Sequence, residues 1–402
     1  MNTRAAGRHF LQIPGPTPVP DRVLRAIAEP TIDHRGPGFA DLGRSVLAGL
    51  QRVFQTSDPV LVFPASGTGA WEAALVNTLS PGDAVLMART GWFASLWSEM
   101  AKRLGLTPIL IDTDWRRGAD PHAIATALRA DTDQRIRAVC VVHNETSTGC
   151  VSPVAAVREA IDAARHPALL LVDTISSLAS IDYRHEAWGV DVTIAGSQKG
   201  LMMPPGLSFN AVSRKALDAA TQAKLPKSYW DWRVMLDANA GFYFPYTPAT
   251  NLLRGLQEAL SMLDEEGLPN VFARHDRLAA ATRAAVSAWG ETGAVELQCA
   301  SPADYSSSLT AVRLAEGHSA DALRALILTR FNMSLGNGLG LLKDRVFRIG
   351  HLGDINDLTL LGALSGVEMG LKLAGVPAAA GGVDAAMAAL IEHSTPRADQ
   401  RT

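Results

Sequence analysis

Short apolar runs alternate with helical patterns between about residue 60 and residue 215 of the chain. The runs are continuous rather than interrupted by polar residues, which is typical of strands buried on both faces of a sheet. Because helical patterns separate the runs, the sequence predicts an α/β fold whose mostly parallel sheet is covered by helices on both sides. The predicted strands are Val60–Phe63, Ala84–Met87, Pro108–Ile111, Ala138–Val142, Ala168–Val172, Val192–Ala195 and Leu207–Ala211.

A second, smaller α+β unit is predicted after a helical stretch at about Leu252–Met262. Its predicted elements are helix Val271–Trp289, strand Leu309–Arg313, helix Ala320–Arg330, strand Arg345–Ile349 and helix Leu358–Leu373. A chain of 402 residues is long for one hydrophobic core. We therefore expect an N-terminal arm at 1–20, a large domain at 21–255 and a small domain at 256–402, which ends in a polar tail from Ser394.

A lysine and an aspartate stand at the ends of two predicted strands, where open α/β sheets bind their ligands. Lys199 follows the sixth strand in Gly196-Ser197-Gln198-Lys199-Gly200, and Asp173 directly follows the fifth. A buried lysine has a lowered pKa, and its free amine can form a Schiff base. An aspartate can hold the protonated nitrogen of a pyridine ring. Taken alone, the two residues could equally be a strand-end carboxylate and a solvated lysine.

A glycine-rich turn, Pro64-Ala65-Ser66-Gly67-Thr68-Gly69, follows the first predicted strand and precedes a helical pattern. Glycine lets the backbone approach an anion, and a helix N-terminus offers free N–H groups. The turn is therefore a candidate phosphate site, although it could also be an ordinary strand-to-helix connection. It is not a Walker motif, since no Gly-Lys-Ser/Thr follows.

Two more strand ends carry candidate ligand-binding groups. Phe93 lies in Thr90-Gly91-Trp92-Phe93 after the second strand, where its ring could stack on a pyridine or pack against a helix. The polar segment His143–Gly149 follows the fourth strand and suits the hydroxyl group of a cofactor ring. Five strand ends with phosphate, stacking, hydroxyl, carboxylate and amine chemistry together favour pyridoxal phosphate over each structural alternative.

These residues resemble those of fold-type I pyridoxal phosphate enzymes, in the class V aminotransferase group that includes the serine–glyoxylate and alanine–glyoxylate aminotransferases. The resemblance spans nearly the whole chain in matching order. Its matching segments are Pro14-Gly15-Pro16-Thr17, Asp33-His34-Arg35, Pro64–Gly69, His143–Gly149, Val172–Ser177, Gly196–Gly206, Phe244-Pro245-Tyr246-Thr247-Pro248 and Val346–Gly353.

The resemblance implies that Lys199 forms a Schiff base with pyridoxal 5'-phosphate, that Asp173 binds the pyridine nitrogen and that Phe93 stacks on the ring. It also implies a wider set of cofactor-binding residues. These are Ser66, Gly67, Thr68 and Gln198 at the phosphate, Thr146 near the ring hydroxyl, and Ile175 beside Asp173.

The resemblance further implies a homodimer whose sites take residues from both subunits. Thr247 would reach the phosphate of the partner subunit, and Phe244 stands where some relatives have a phosphate-binding tyrosine. Arg348 would pair with the α-carboxylate of the substrate, for which a guanidinium fork is suited. On its own, Arg348 could be a strand-end surface arginine. Arg35 is a second candidate substrate-binding residue.

The activity expected from the resemblance is transfer of an amino group from a small amino acid to glyoxylate, which yields glycine and an oxo acid. Serine is the favoured donor, and aspartate and alanine are the alternatives. Arg35 and the cations of 224–233 could meet the distal carboxylate of aspartate or be surface charges. A pyridoxal phosphate lyase with a nucleophilic cysteine is disfavoured, because 334–340 contains no cysteine. A non-catalytic binding protein is the third hypothesis.

Charge and composition indicate which partners to expect. The formal net charge of −3 gives no electrostatic reason to expect nucleic acid or an anionic membrane. No apolar run approaches the roughly 18 residues that a membrane span requires. Three cysteines without CxxC spacing favour neither a disulfide framework nor a metal site. We therefore expect a cytoplasmic protein without nucleic-acid or membrane partners.

Overall fold

A seven-stranded sheet forms the centre of the protein, as seen in a computed structural model that describes residues 7–392. The predicted polar tail from Ser394 lies outside the described residues. The strands are β1 Phe10–Gln12, β2 Val60–Phe63, β3 Ala84–Arg89, β4 Thr107–Asp112, β5 Ile136–Val142, β6 Asn144–Glu145, β7 Cys150–Val151, β8 Leu169–Asp173, β9 Val192–Gly196, β10 Ser208–Val212, β11 Val295–Leu297, β12 Leu309–Leu314, β13 Met333–Asn337 and β14 Val346–Gly350. The helices are α1 Asp21–Ile27, α2 Pro37–Phe54, α3 Gly67–Thr78, α4 Trp92–Arg103, α5 Pro121–Ala130, α6 Val154–Ala163, α7 Arg214–Ala220, α8 Trp232–Asn239, α9 Thr250–Glu266, α10 Leu268–Trp289, α11 Ala320–Phe331, α12 Asp357–Leu373 and α13 Gly382–Glu392.

The large sheet has the order β2-β10-β9-β8-β5-β3-β4. The five strands from β9 to β4 are parallel to one another, while β10 is antiparallel to both β2 and β9. The predicted α/β fold with a mostly parallel sheet is therefore confirmed. β4 lies at one end of the sheet and is only partly buried, which agrees with its position as an edge strand.

Both faces of the large sheet are covered, which explains why its strands are continuously apolar. Along β3, Leu86 belongs to the core under α2 and α9, whereas Val85 and Met87 belong to the core under α3 and α4. Successive side chains of a strand point to opposite faces, so each face needs its own apolar residue. The run is therefore continuously apolar because alternate residues are buried on opposite faces of the sheet.

A second sheet, with the order β1-β13-β14-β12-β11, packs against α10 to α13. Its core includes the fully buried Trp289 and Phe347. The N-terminal segment belongs to this sheet, since Phe10–Gln12 pairs in parallel with β13. Neither β1 nor β13 was predicted, because β1 has three residues and β13 carries serine, glycine and asparagine in Met333–Asn337. The domain boundaries given above stay a prediction.

The strand register brings the carboxyl ends of four strands to one edge of the large sheet. Ser208 pairs with both Phe63 at the end of β2 and Gly196 at the end of β9. Val142 at the end of β5 pairs with Asp173 at the end of β8. The residues that follow these strands must therefore lie close together, although they come from distant parts of the sequence.

Candidate active site

A cavity of about 180 Å³ opens at this edge of the sheet. It is lined by Gly15, Pro16, Ser66, Gly67, Thr68, Trp71, Phe93, Val142, Thr146, Asp173, Ile175, Gln198, Lys199 and Pro205. The structure thus brings together the cofactor-binding residues expected from the sequence, with the exception of Thr247.

Lys199 lies just beyond β9 and is only 9% exposed. Its Nζ donates a hydrogen bond to the backbone oxygen of Pro14. Burial and the nearby charge of Arg348 lower the pKa of Lys199 to about 7, against the opposing effect of Asp173. A large fraction of this amine is therefore unprotonated near neutral pH, as a nucleophile requires.

The N-terminal segment passes directly over Lys199, and it can do so only because residue 15 is glycine. Gly15 has a φ of +97°, and a Cβ atom there would lie 2.3 Å from the Cδ of Lys199. Thr17 fixes the same segment by donating its backbone N–H to the Gln198 oxygen at 3.1 Å. Gly15 and Pro16 therefore form one wall of the cavity, and Pro14 holds the amine of Lys199 through its backbone oxygen.

Asp173 ends β8 and is 3% exposed. Its Oδ2 accepts a hydrogen bond from Trp71 Nε1 at 2.8 Å, and its Oδ1 accepts one from the Ile175 backbone N–H at 2.7 Å. Burial, with a further contribution from the charge of Glu145, raises the pKa of Asp173 to about 7. Within residues 7–392 no cation lies within ion-pair distance of this carboxylate. A cationic ligand group in the cavity would supply the missing partner.

The first turn of α3 forms the opposite end of the cavity. The helix begins at Gly67 after Ser66, and no side chain caps its N-terminus. A Cβ on Gly67 would lie 2.3 Å from Cδ1 of Ile175, so glycine is required for the close packing of these two residues. Within residues 7–392 the buried side-chain oxygen of Gln198 has no hydrogen-bond partner. Free helical N–H groups and nearby hydroxyls fit a phosphate group, to which the amide NH2 of Gln198 can also donate.

Phe93 and Thr146 line the cavity between these two ends. Phe93 lies in the first turn of α4 and meets the ring of Trp71 at 6.5 Å between centroids. The hydroxyl of Thr146 donates to the Ser176 hydroxyl at 2.7 Å. A flat ring bound here would have an aromatic face and hydroxyl groups around it, in addition to the carboxylate of Asp173.

Arg348 lies in the middle of β14 and is 6% exposed. It is therefore not a surface arginine at a strand end. Its Nη1 donates to the Thr146 oxygen and its Nε to the Asn337 oxygen, each at 2.8 Å. Burial lowers the pKa of Arg348 to about 10, so the guanidinium stays charged at neutral pH. Arg348 does not itself line the cavity, but it holds the backbone of Thr146, which does.

Three residues named from the sequence lie away from this cavity within one chain. Arg35 and Thr247 are exposed, and neither lines the cavity. Phe244 is half-buried and packs its ring on Phe39 at 6.0 Å between centroids. The roles expected for Arg35 and Thr247 stay predictions, and those of Thr247 require a second subunit.

Sequence reasoning missed three residues that hold the site together. Trp71 belongs to the apolar face of α3, which by itself indicates only core packing, although an indole N–H usually finds a partner when it is buried. Pro14 acts through its backbone oxygen, which no side-chain pattern reveals. Glu145 is a fully buried carboxylate in the polar segment after β5, and its position in that segment was the only available signal.

Comparison with known proteins identifies the family. The sequence matches the family "Aminotransferase class-V" over residues 9–338. The chain belongs to this family. Class V aminotransferases in general depend on pyridoxal phosphate, so the prediction of a pyridoxal phosphate-dependent aminotransferase is confirmed at the level of the family.

Individual relatives extend the match over nearly the whole chain. A serine–glyoxylate aminotransferase of Methylorubrum extorquens is 48% identical, with 98% of this chain and 99% of the relative covered. An L-aspartate–glyoxylate aminotransferase of Paracoccus denitrificans is 44% identical, with 95% of each covered. Among solved structures, a pyridoxamine–pyruvate aminotransferase from Mesorhizobium loti superposes with a TM-score of 0.90 at 28% identity, with 98% of this chain and 100% of that chain covered.

Within residues 7–392, no cluster of three or more histidine, cysteine, aspartate or glutamate side chains is arranged to hold a metal ion. In the same part of the chain, every helix is too short or too polar to cross a membrane.

Proposed function

We propose that this chain binds pyridoxal 5'-phosphate in the cavity and transfers the amino group of a small L-amino acid, serine by preference, to glyoxylate. The observation that carries the proposal is the pair formed by Lys199 and Asp173. Both line one cavity, both are buried, and their pKa values are moved from opposite sides to about 7. Such displaced pKa values at convergent groups are typical of catalytic sites.

When bound, pyridoxal phosphate supplies an aldehyde carbon that reacts with amines and a ring that accepts electrons from the substrate's α-carbon. Lys199 would carry the cofactor at rest. Once a substrate amine displaces it, the amine of Lys199 would remove the proton from the substrate's α-carbon. It would then deliver this proton to the carbon that the cofactor's aldehyde supplied. A pKa of about 7 suits both tasks, since the amine can accept and release a proton at neutral pH. Pro14 offers the free amine a hydrogen-bond acceptor.

The remaining cavity residues would orient the cofactor. The carboxylate of Asp173 would hold the ring nitrogen in its protonated form, with Trp71 and Ile175 fixing the two carboxylate oxygens. Phe93 would cover one face of the ring, and Thr146 would lie near its hydroxyl group. The uncapped N-terminus of α3 would bind the phosphate through backbone N–H groups, with support from Ser66, Thr68 and Gln198.

Arg348 would bind the carboxylate that both substrates share. An amino acid and glyoxylate each present a carboxylate, and a guanidinium binds it through two parallel hydrogen bonds. Because Arg348 would bind both carboxylates, the amino acid and glyoxylate would occupy the same site one after the other. We therefore expect ping-pong kinetics, with the oxo acid released before glyoxylate binds.

Serine is favoured as the donor on two grounds. A relative named as a serine–glyoxylate aminotransferase is similar over nearly the full chain, although one named for aspartate is almost as similar. In addition, Lys199 is the only cation among the described residues that line the cavity, and Arg348 beside it would already be occupied by the α-carboxylate, so one chain offers the distal carboxylate of aspartate no further cation there. Aspartate and then alanine are the alternatives.

We also propose a cytoplasmic homodimer in which Thr247 of one subunit reaches the phosphate site of the other. Its exposure in the single chain supports this role, because a residue that contacts a partner must lie at the surface. Thr247→Ala should then weaken pyridoxal phosphate binding without changing the stability of the isolated chain.

The experiment that tests the proposal supplies glyoxylate with serine, aspartate or alanine and measures the glycine formed. We expect the highest kcat/KM with serine. A marked preference for aspartate would overturn the choice of donor but keep the reaction. If an amino donor alone leaves the visible absorbance of the bound cofactor unchanged and no glycine forms, the protein is not an aminotransferase.

A further inference from the structure

Glu145 is a carboxylate inside the protein for which the proposed reaction has no use. It lies at the end of β6, next to Thr146 of the cavity, and its exposed fraction is zero. A buried carboxylate is costly unless hydrogen bonds or cations compensate its charge. Within residues 7–392 it has no ion-pair partner, so the compensation must come from hydrogen bonds.

Four donors point at this carboxylate, and two of them belong to the first turn of α4. Its Oε1 accepts from the backbone N–H of Phe93 at 3.3 Å, and its Oε2 from that of Ala94 at 3.1 Å. The backbone N–H and the hydroxyl of Ser147 also donate to Oε1, at 3.0 and 2.6 Å. The negative charge thus caps the positive end of the helix that carries Phe93.

The loop at residues 145–149 packs tightly against the start of α4. A Cβ atom on Gly91, which precedes α4, would lie 2.3 Å from the Cγ of Glu145. The hydroxyl of Ser147 also accepts the backbone N–H of Trp92 at 2.9 Å. The loop that carries Thr146 and the helix turn that carries Phe93 are therefore joined through one carboxylate.

The charge of Glu145 also reaches the other ionised groups of the site. Burial lowers the pKa of Arg348, and the charge of Glu145 opposes this change. Burial raises the pKa of Asp173, and the charge of Glu145 adds to that rise. Burial raises the pKa of Glu145 itself, while the four hydrogen bonds oppose this change. Arg348 binds the backbone of the residue that follows Glu145, so the carboxylate is part of the electrostatic surroundings of the substrate carboxylate site.

We propose that Glu145 is a positioning residue of the active site, which fixes Phe93 and Thr146 on the cofactor ring through its hydrogen bonds and stabilises positive charge there. The proposal rests on the proposed function, because it concerns the binding of pyridoxal phosphate. The two effects of Glu145 can be tested separately. Its hydrogen bonds to the start of α4 exist without the cofactor, whereas its effect on the cofactor ring requires bound pyridoxal phosphate.

The test compares Glu145→Gln with Glu368→Gln, which removes a matched charge far from the cavity. Glu368 on α12 accepts the backbone N–H of Val383 in the first turn of α13 at 3.1 Å, together with Trp289 Nε1 at 3.0 Å. Both substitutions take a carboxylate from a helix start. Only Glu145 should affect the cofactor.

Three quantities are measured. In the apoprotein, Glu145→Gln should speed amide hydrogen exchange at Phe93 and Ala94. The dissociation constant of pyridoxal phosphate should rise about tenfold or more, the usual cost of a buried charged hydrogen bond. The pKa seen in the visible absorbance of the bound cofactor should fall, because a nearby negative charge favours the protonated form. Glu368→Gln should leave all three unchanged, even if it lowers the melting temperature.

Each other outcome decides against part of the account. Unchanged amide exchange in Glu145→Gln would refute the cap. Unchanged cofactor affinity and absorbance pKa, with exchange accelerated, would reduce Glu145 to a structural role. If Glu145→Gln does not fold, Ser147→Ala removes one donor and should show the same changes to a smaller extent, and their absence would also refute the proposal. Failure of the wild-type protein to bind pyridoxal phosphate would instead overturn the proposed function, and this inference with it.

Discussion

Two aspartate–lysine combinations lie at opposite edges of the same sheet, and they have opposite surroundings. Asp173 ends β8 and Lys199 follows β9, at the edge where the parallel strands have their carboxyl ends. Asp191 precedes β9, at the edge where these strands have their amino ends. Asp191 accepts hydrogen bonds from Leu170 N at 2.8 Å and the Ser213 hydroxyl at 3.1 Å. It also lies 3.6 Å from Lys215 Nζ and 3.7 Å from Arg158 Nη1.

The lysines differ in the same way. The Lys215 side chain is 47% exposed, pairs with Asp191 and donates to the Ala168 oxygen at 2.9 Å. Lys199 is 9% exposed, and within residues 7–392 the hydrogen-bond partner of its amine is a neutral backbone carbonyl. The amino edge thus satisfies its charges internally, whereas the carboxyl edge leaves them to be satisfied by a ligand. The same residue types therefore serve stability at one edge and, in our proposal, chemistry at the other.

The strongest test of this contrast exchanges each lysine for alanine. Lys199→Ala should reduce transamination by at least 10²–10⁴-fold, since it removes both the covalent attachment and the general base. Lys215→Ala should retain wild-type kcat and KM. Steady-state rates of glycine formation measure both variants, and comparable losses in the two would abolish the distinction between the edges.

The aspartates should separate activity from stability. Asp173→Asn should lower kcat by roughly 10²-fold or more, because a preorganised charge is lost where positive charge must be held. Asp191→Asn should leave kcat unchanged and lower the free energy of unfolding by about 1.5–3 kcal/mol, as expected when hydrogen bonds to a buried charged group are weakened. Urea unfolding and initial rates on the same preparations measure both effects. A stable but inactive Asp191→Asn would contradict the account.

The pH dependence of apoprotein stability should reflect the two buried ionisable groups at the carboxyl edge. The folded state binds the proton of Asp173 more tightly than the unfolded state does, so stability falls as pH rises from about 4 to about 7. For Lys199 the folded state binds its proton less tightly, so stability rises between about pH 7 and 10.5. Each slope is at most about 1.4 kcal/mol per pH unit.

Urea unfolding of the apoprotein at a series of pH values tests these slopes. Asp173→Asn should remove the fall below pH 7, and Lys199→Ala should remove the rise above it. Asp191→Asn should remove neither. If the wild-type protein and Asp173→Asn differ in stability by a constant amount across the acidic range, the carboxyl group of Asp173 does not have a raised pKa.

The smallest effect is expected at the indole that supports Asp173. Trp71→Phe removes the hydrogen bond to Asp173 Oδ2, so the pKa of Asp173 should rise further and kcat should fall about tenfold, the cost of one hydrogen bond to a charged group. Trp97→Phe is the matched control, because the buried Nε1 of Trp97 has no hydrogen-bond partner within residues 7–392 and its ring stacks on Trp71 at 5.9 Å between centroids. Equal losses in both variants would indicate packing rather than the hydrogen bond.

The sequence was sufficient for the large sheet and for most of the cavity. Continuous apolar runs predicted its seven strands, because burial on both faces leaves that pattern. Residues at the strand ends, such as Lys199 and Asp173, could be found because parallel strands bring their carboxyl ends to one edge. The prediction thus succeeded where local pattern and topology determine position.

What the sequence did not reveal depends on contacts between distant segments. Pro14 meets Lys199 only because β1 joins the small sheet, and three residues of strand leave almost no pattern. Glu145 is a helix cap for α4 across the sheet edge, whereas local capping signals lie within a few residues of the helix. The role expected for Thr247 requires a second subunit and stays a prediction, as does the role expected for Arg35.

The attachment of the cofactor to Lys199 is the central claim, and chemical trapping tests it most directly. The protein is mixed with pyridoxal phosphate and treated with borohydride, which reduces the bond between the aldehyde carbon and a lysine nitrogen to a stable amine. Peptide mass mapping then locates the label. We expect it on Lys199, with Lys215 unmodified. Label on Lys215 or another lysine, or an unlabelled wild-type protein, would contradict the account.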